Sequence, residues 1–193
     1  MFTLLGVQTA PARRIQIEGR SILTAIHKLP VTGPVQVSAM GLSGDEQADL
    51  TVHGGLDKAV YAYPVEHYPF WRAQRTKASL MGSDDAALPL GTFGENLTLQ
   101  GLLETEVWVG DVLRFAACAL RVTQPRQPCY KFNAVMGFSG ASKVMAQSGY
   151  CGFYLALEQA GHLSAGEPFE LLPGPRRLSI AESFQAKMFK HLR

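Results

Sequence analysis

Residues 106–125 read EVWVGDVLRFAACALRVTQP, two apolar runs separated by short breaks. In the first run, Val107 and Val109 share one face, which is the two-residue period of a strand with one buried side. A Gly-Asp pair follows and has the chemistry of a tight turn. The stretch therefore predicts a hairpin arm or bent strand over 106–115, followed by a second strand over 118–125.

The rest of the chain shows the same punctuated pattern. Short β-type runs bounded by glycine or proline occur at GPVQVSAM (33–40), ENLTLQG (95–101) and EPFELLPG (167–174). Strands at this spacing are typical of a compact barrel or sandwich rather than of alternating βαβ units. We predict a single mainly β domain over about residues 1–175.

Helical patterns are fewer and short. Pro64 fits the first helical position for VEHYPFWRAQ, and Pro69 is expected to kink or shorten that helix. A second helix is predicted from Pro128 through YKFNAVM, with Gly137 at its C-terminal end. SKVMAQSG (142–149) predicts a third short helix.

Two further segments lie near the C-terminus. GFYLALEQAG (152–161) fits either a strand or a helix, and periodicity does not separate the two. The tail over 176–193 is amphipathic, with Ile180, Phe184 and Met188 at helical spacing. We predict a C-terminal helix that begins near Ile180 and packs against the barrel or against a partner chain.

Composition argues against several classes of function. The 193 residues include 18 basic and 16 acidic side chains, a formal net charge of +2, and 47% are hydrophobic. No global field favours nucleic acid or a membrane surface, so any anion site must be local. The N-terminal stretch resembles neither an export signal nor a membrane span, and we predict a cytoplasmic protein without nucleic-acid or membrane partners.

The cysteines are few. Cys118, Cys129 and Cys151 form an odd set without CxxC spacing, which supports neither a disulfide framework nor a zinc knuckle. Cys118 would share one strand face with apolar neighbours, and Cys151 lies in an apolar stretch. Both are interpreted as core residues.

Cys129 lies in QPRQPCYKF (124–132), behind two prolines and between Arg126 and Lys131. In the first turn of the predicted helix, its thiol would face unpaired N–H groups and two cations, which together lower a thiol pKa. The pattern indicates a nucleophile or a ligand for a soft metal. The alternative is a small buried structural residue.

Two polar segments are less specific. LSGDEQADLTVHGGLDKAVYAYP (42–64) contains His53 before two glycines that allow close backbone approach to a ligand. A lone histidine is more often a structural hydrogen-bonder, and the aspartates Asp45, Asp49 and Asp57 are interpreted as turn residues. GTFGENLTLQG (91–101), which includes Glu95 and Asn96, reads by itself as a turn into a strand.

Taken together and in this order, GLSGDEQAD, VHGGLDKAVYAYP, GENLTLQGL and PRQPCYK resemble the MOSC domain family, and within it the small bacterial stand-alone proteins of the YiiM type. The resemblance runs from about residue 40 to 173. It implies a β-barrel of the pyruvate-kinase type, with short helices, that holds the molybdenum cofactor, molybdopterin. Members of the YiiM type carry several helices after the barrel, where this chain has only the 176–193 tail.

The resemblance also implies roles for individual residues. Cys129 matches the cysteine that supplies a thiolate to molybdenum. The motif positions that line the cofactor pocket are matched by His53, Glu95, Asn96, Arg126 and Lys131. We expect His53, Glu95, Arg126 and Cys129 to converge on one pocket.

The implied activity is reduction of N-hydroxylated compounds, such as hydroxylaminopurines or hydroxylamines, to amines. The expected partners are this small-molecule substrate, a reductase that donates electrons and, as a possibility left open, a second copy of the chain. One alternative is a molybdenum cofactor carrier without turnover. Another is a sulfur-transfer enzyme in which Cys129 carries a persulfide.

Overall fold

Seven strands close into a barrel in the computed structural model, which describes residues 1–48, 54–78 and 88–190. The described strands are β1 (Phe2–Thr9), β2 (Arg13–Ile17), β3 (Arg20–Thr24), β4 (Leu29–Pro30), β5 (Val35–Ser38), β6 (Gly41–Leu42), β7 (Val60–Pro64), β8 (Leu97–Gln100), β9 (Val112–Arg114), β10 (Ala119–Pro125), β11 (Phe153–Gln159), β12 (Gly161–Leu163) and β13 (Pro168–Leu172).

The barrel is a ring of strands in the order β13, β9, β10, β11, β7, β8 and β1, and it closes where β1 pairs with β13. Neighbours in the ring are antiparallel except β7 and β8, which are parallel. Closure leaves the ring without an unpaired edge. The predicted mainly β barrel with short helices and a C-terminal helix is confirmed.

The stretch at 106–125 forms a hairpin, although its first strand is shorter than predicted. Residues 112–114 pair with β10, whereas residues 108–111 form a turn. The buried Asp111 carboxylate accepts N–H groups from Trp108 at 3.1 Å and from Gly174 at 2.6 Å. Because these hydrogen bonds hold the backbone in a turn, the strand begins only at Val112.

The α-helices in the described residues are α1 (Tyr68–Lys77), α2 (Tyr130–Met136), α3 (Ala141–Ser148) and α4 (Ile180–Lys190). The prediction for α1 was wrong in detail, since Pro64 ends β7 and Pro69 occupies the first helical turn. The first turn needs no N–H donor, so Pro69 starts the helix instead of kinking it. Helix α2 begins at Tyr130, two residues after the predicted start, and ends at a left-handed Gly137.

The segment left open at 152–161 is a strand, because β11 hydrogen-bonds to both β10 and β7 inside the ring. Helix α4 begins with a capping box in which Ser179 and Glu182 exchange hydrogen bonds. Its Ile180 and Phe184 side chains are buried in the core, and Met188 packs against it. No helix in the described part of the chain is long and apolar enough to cross a bilayer.

Candidate functional site

A cavity of about 100 Å³ opens beside the N-terminal end of α2. Described residues from six separated parts of the chain line it, including the segment between β3 and β4, the loop before β8 and the end of β10. The charged residues of its lining, within the described part of the chain, are Lys28, Asp45, Glu46, Lys58, Arg126 and Lys131. Because the cations outnumber the carboxylates, this "basic cavity" suits a ligand that carries negative charge.

Arg126 is the most deeply buried cation of the basic cavity. It directly follows β10, and its guanidinium lies over the rings of Tyr61 and Phe132, at 5.3 and 5.0 Å from their centroids. One guanidinium nitrogen contacts the Met145 sulfur at 3.3 Å. Among the described residues, no carboxylate pairs with it. A buried guanidinium stays charged and is costly without a counter-charge, so the position favours an anion brought by a ligand.

Lys131 adds a second buried cation from the first turn of α2. It also lines the basic cavity, and its ammonium has neither an ion pair nor a hydrogen bond within residues 1–48, 54–78 and 88–190. Arg126 and Lys131 therefore present two buried positive charges to the same space. Phosphate or another oxyanion is the kind of group that such a pair binds.

Cys129 lines the same cavity and lies immediately before α2, not within its first turn as predicted. Its backbone is extended because residues preceding a helix adopt non-helical angles. The Cys129 carbonyl accepts the N–H of Phe132 at 3.0 Å and the hydroxyl of Ser142 at 2.8 Å. These contacts to α2 and α3 fix the backbone that carries the thiol.

The three cysteines form no disulfide, and the other two thiols are core groups. Burial raises the pKa of Cys118 to about 11, and it raises the pKa of Cys151 as well. Both thiols therefore stay protonated and unreactive at neutral pH. Within the described lining of the basic cavity, Cys129 is the one sulfur that a soft metal could bind.

Asn96 forms part of the cavity wall and is tied into the fold by its amide. Its oxygen accepts the N–H of Tyr61 at 3.0 Å, while its nitrogen donates to the Gln8 carbonyl and to the Asp45 carboxylate at 3.2 and 2.9 Å. The amide therefore joins β1, β7 and the loop at Asp45. It shapes the cavity more than it offers a free group to a ligand.

Glu95, which the resemblance assigns to the cofactor pocket, is not among the residues that line the basic cavity, and its role toward a cofactor stays a prediction. Its buried carboxylate accepts N–H groups from Gly91 and Phe93, at 2.8 and 3.0 Å, and hydroxyl groups from Tyr68 and Thr98. The two oxygens are thereby engaged in holding the 91–95 turn. Glu95 keeps its neighbours in that turn in place, and its charge also acts on the Lys28 amine of the cavity.

His53 and Asp49 lie outside the described residues. Of the four residues expected to converge, Arg126 and Cys129 line one cavity, together with Asn96 and Lys131. Groups of three or more His, Cys, Asp or Glu side chains that could hold a metal ion are absent from the described ranges. A metal in this cavity would therefore depend on Cys129 and on ligands brought by a cofactor.

Four charged residues that line the cavity were not among the predicted site residues: Lys28, Asp45, Glu46 and Lys58. Lys28 had no local signal, and Asp45 was interpreted as a turn residue. The Lys28 ammonium pairs with the Asp45 carboxylate, and both side chains are 7% exposed. This contact spans 17 residues, so only the folded chain reveals it. Burial is the largest influence on the Lys28 amine and lowers its pKa, although Asp45 and Glu95 oppose the shift.

Comparison with known proteins agrees with this architecture. The MOSC domain matches residues 49–170. The protein YflK of Bacillus subtilis (strain 168) is 37% identical over 180 residues, which is 93% of this chain and 77% of YflK. A protein named "Reductase" from Gibberella moniliformis is 33% identical over 158 residues, 81% of this chain but 27% of that protein.

A solved structure is also similar over the full chain. The crystal structure of YiiM from Geobacillus stearothermophilus superposes with a TM-score of 0.78 at 30% identity, covering 100% of this chain and 87% of that chain. The likeness to the YiiM type is confirmed by this match.

Proposed function

This chain belongs to the MOSC domain family, and from that premise we propose that it is a molybdenum-cofactor-dependent oxidoreductase that reduces N-hydroxylated compounds to amines. The observation that carries the proposal is the placement of the Cys129 thiol and the buried Arg126 guanidinium in one cavity. The Cys129 thiol is a ligand for a soft metal, and the buried charge of Arg126 favours binding of an anion.

The residues of the basic cavity fit a cofactor that combines a thiophilic metal with an oxyanion. Cys129 would hold the metal through its sulfur. Arg126 and Lys131, both buried and without a carboxylate partner in the described chain, would bind the negatively charged phosphate of the pterin. When bound, the cofactor supplies the two-electron redox centre at which oxygen is removed from the substrate.

The chain itself contributes orientation and charge. Arg126 is held in advance by two aromatic rings and by the Met145 sulfur, so little reorganisation is needed when an anion binds. The fixed backbone at Cys129 restricts where its thiol can point. The overall reaction, R–NHOH + 2 e⁻ + 2 H⁺ → R–NH₂ + H₂O, also needs protons that a side chain of the cavity can deliver.

The relative named a reductase supports the oxidoreductase class. Because this chain corresponds to only 27% of that protein, the proposal includes a separate reductase that supplies the electrons. The same cavity could serve a carrier that holds the cofactor without turnover. A half-buried thiol at Cys129 is also compatible with persulfide chemistry, and both alternatives are outcomes of the test below.

The test uses protein made in a host that synthesises the cofactor. Wild type, Cys129→Ser and Cys151→Ala are compared for molybdenum per chain, thermal melt, cyanide-labile sulfur and reduction of a hydroxylaminopurine by reduced methyl viologen. We expect about one molybdenum per chain with amine formation in the wild type, and loss of both in Cys129→Ser with little change in melting temperature. Cys151→Ala should lose stability while keeping chemistry, because it leaves a small cavity in the core.

Three results would overturn the proposal. Molybdenum without turnover would assign a carrier. Cyanide-labile sulfur on Cys129 without molybdenum would assign sulfur transfer. Full activity in Cys129→Ser would remove the metal-ligand role of this residue.

A further inference from the structure

Lys28 reaches the basic cavity from the short segment between β3 and β4. Its backbone N–H donates a hydrogen bond to the Ile26 carbonyl at 3.0 Å. Its carbonyl and side chain also pack against Gly91, which has a left-handed backbone conformation. A Cβ added at Gly91 would lie only 3.1 Å from the Lys28 carbonyl oxygen. These contacts therefore restrain the backbone at Lys28. The segment delivers an ammonium group to the cavity lining with 7% of the side chain exposed.

Asp45 holds this ammonium and is itself held. One carboxylate oxygen accepts the Lys28 ammonium and the Ala10 N–H, the latter at 2.8 Å, and the other oxygen accepts the Asn96 amide at 2.9 Å. A carboxylate that accepts hydrogen bonds from three N–H donors is held in one orientation. In this pair the Lys28 ammonium is the group that can donate a proton, and Asp45 positions the ammonium.

Arg126 and Lys131 of the basic cavity are less suited to giving a proton. Arg126 retains its proton far above neutral pH, so it can bind an anion but cannot act as an acid. Lys58 lies 5.9 Å from the ring centroid of Tyr154, and Lys131 has a place in the proposed anion site. Burial lowers the pKa of Lys28 below its ordinary 10.5 against the attraction of Asp45 and Glu95, which makes its proton easier to release than that of an ordinary lysine.

We propose that Lys28 is the general acid of this cavity and that Asp45 is its positioning residue, an assignment that rests on the proposed function. As the N–O bond of R–NH–OH breaks, the Lys28 ammonium gives one proton to the substrate nitrogen and becomes a neutral amine. The two electrons come from the electron donor, the second proton and the reprotonation of Lys28 come from solvent, and R–NH₂ and H₂O leave.

Charged groups that face Lys28 set the pH range of this chemistry. The carboxylates of Asp45 and Glu95 act on it directly. The other charged residues of the lining that the structure describes are Glu46, Lys58, Arg126 and Lys131. Because turnover needs the protonated amine, the rate of the wild type should fall as pH rises through the lowered pKa of Lys28, well before the pH at which an exposed lysine loses its proton.

The first experiment separates acid catalysis from charge. Lys28→Arg keeps the positive charge but removes a releasable proton, whereas Lys28→Ala removes both. We expect Lys28→Arg to retain wild-type molybdenum content and melting temperature with turnover lower by about 100-fold or more. Small primary amines should restore turnover to Lys28→Ala but not to Lys28→Arg. Lys143→Arg, an exposed change on α3, should match the wild type.

The second experiment needs neither cofactor nor turnover. Reductive methylation with ¹³C-formaldehyde labels the lysine amines of the protein, and the resonance missing from Lys28→Arg identifies Lys28. Its chemical shift should titrate below the ordinary lysine value of 10.5, and Asp45→Asn should move the midpoint lower still because an attractive charge is lost. The alkaline limb of turnover in Asp45→Asn should move in the same direction.

The outcomes distinguish the two proposals. A wild type that holds no molybdenum and shows no turnover sinks the proposed function, while the titration of Lys28 can still be read. If the wild type is active, the general-acid role of Lys28 is contradicted by a Lys28→Arg variant that keeps more than half of the turnover. It is equally contradicted by a Lys28→Ala variant whose turnover no amine restores. Either result leaves the proposed function standing. A Lys28 midpoint at or above 10.5 overturns the general-acid role as well.

Discussion

The guanidinium of Arg126 lies 5.0 Å from the ring centroid of Phe132, a residue six positions later that is itself fully buried in α2. The contact fixes the cation against the helix that follows Cys129. Aromatic faces attract a cation but do not neutralise it. Arg126 is therefore oriented by the protein and left with a charge that a ligand can satisfy.

Replacement of this cation should separate folding from anion binding. In Arg126→Met we expect the free energy of unfolding to change by no more than about 1 kcal/mol, because the lost ring contacts are offset by the removal of a buried charge. Stabilisation by inorganic phosphate in thermal melts should disappear, since a charged hydrogen bond contributes about 1.5 to 3 kcal/mol. Arg114→Met, at an exposed ion pair with Glu170, is the matched control and should keep the phosphate response.

The buried pair of His67 and Glu104 should be far more important for stability than the exposed ion pairs. Glu104 accepts from His67 at 2.7 Å and from the Gly152 N–H at 2.7 Å. Glu104→Ala leaves both buried partners without an acceptor and should lower the free energy of unfolding by about 3 kcal/mol. Glu158→Ala, which removes an exposed partner of Arg121, should cost less than about 1 kcal/mol. Urea unfolding measures both, and equal losses would contradict the burial argument.

Alanine substitutions at two glycines with left-handed backbone conformations can test how closely the chain before β11 approaches β7. At Gly152 an added Cβ would lie 2.4 Å from the Ala62 carbonyl oxygen, whereas at Gly149 nothing lies within 4 Å. Gly149→Ala should cost about 1 kcal/mol for its backbone conformation. Gly152→Ala should cost about 2 kcal/mol more, because backbone must also move. Thermal melts of both variants measure this difference. Similar losses of stability in the two variants would mean that the backbone around Gly152 moves without cost.

The stability of the fold should depend on pH through Glu95. Burial raises the pKa of this carboxyl above its ordinary 4.5, although the donors around it act in the opposite direction. The protonated form is therefore favoured by folding, so its contribution is complete below about pH 4.5 and is lost as pH rises through the raised pKa. Glu95→Gln should show a smaller loss of unfolding free energy between pH 4.5 and 7 in urea titrations. An unchanged pH slope would exclude Glu95 as the source.

Local sequence was sufficient for the class of fold and for part of the cavity. Alternating apolar residues near β9 and β10 predicted strands, because side chains of a strand point to opposite faces. The short segment from Arg126 to Lys131 placed a thiol and two cations together, because residues so close in sequence cannot lie far apart. The family motifs extended this to the MOSC fold, which the comparisons bear out.

The tertiary structure decided what depends on contacts between distant residues. Closure of the barrel requires β1 to meet β13, two strands from opposite ends of the chain. The contacts of the Glu95 carboxylate with the N–H groups of Gly91 and Phe93 exist only in the folded turn, because the turn leaves those N–H groups without another acceptor. The pairing of Lys28 with Asp45 likewise has no local signature, because a salt bridge across separate loops exists only after the strands between them have set the distance.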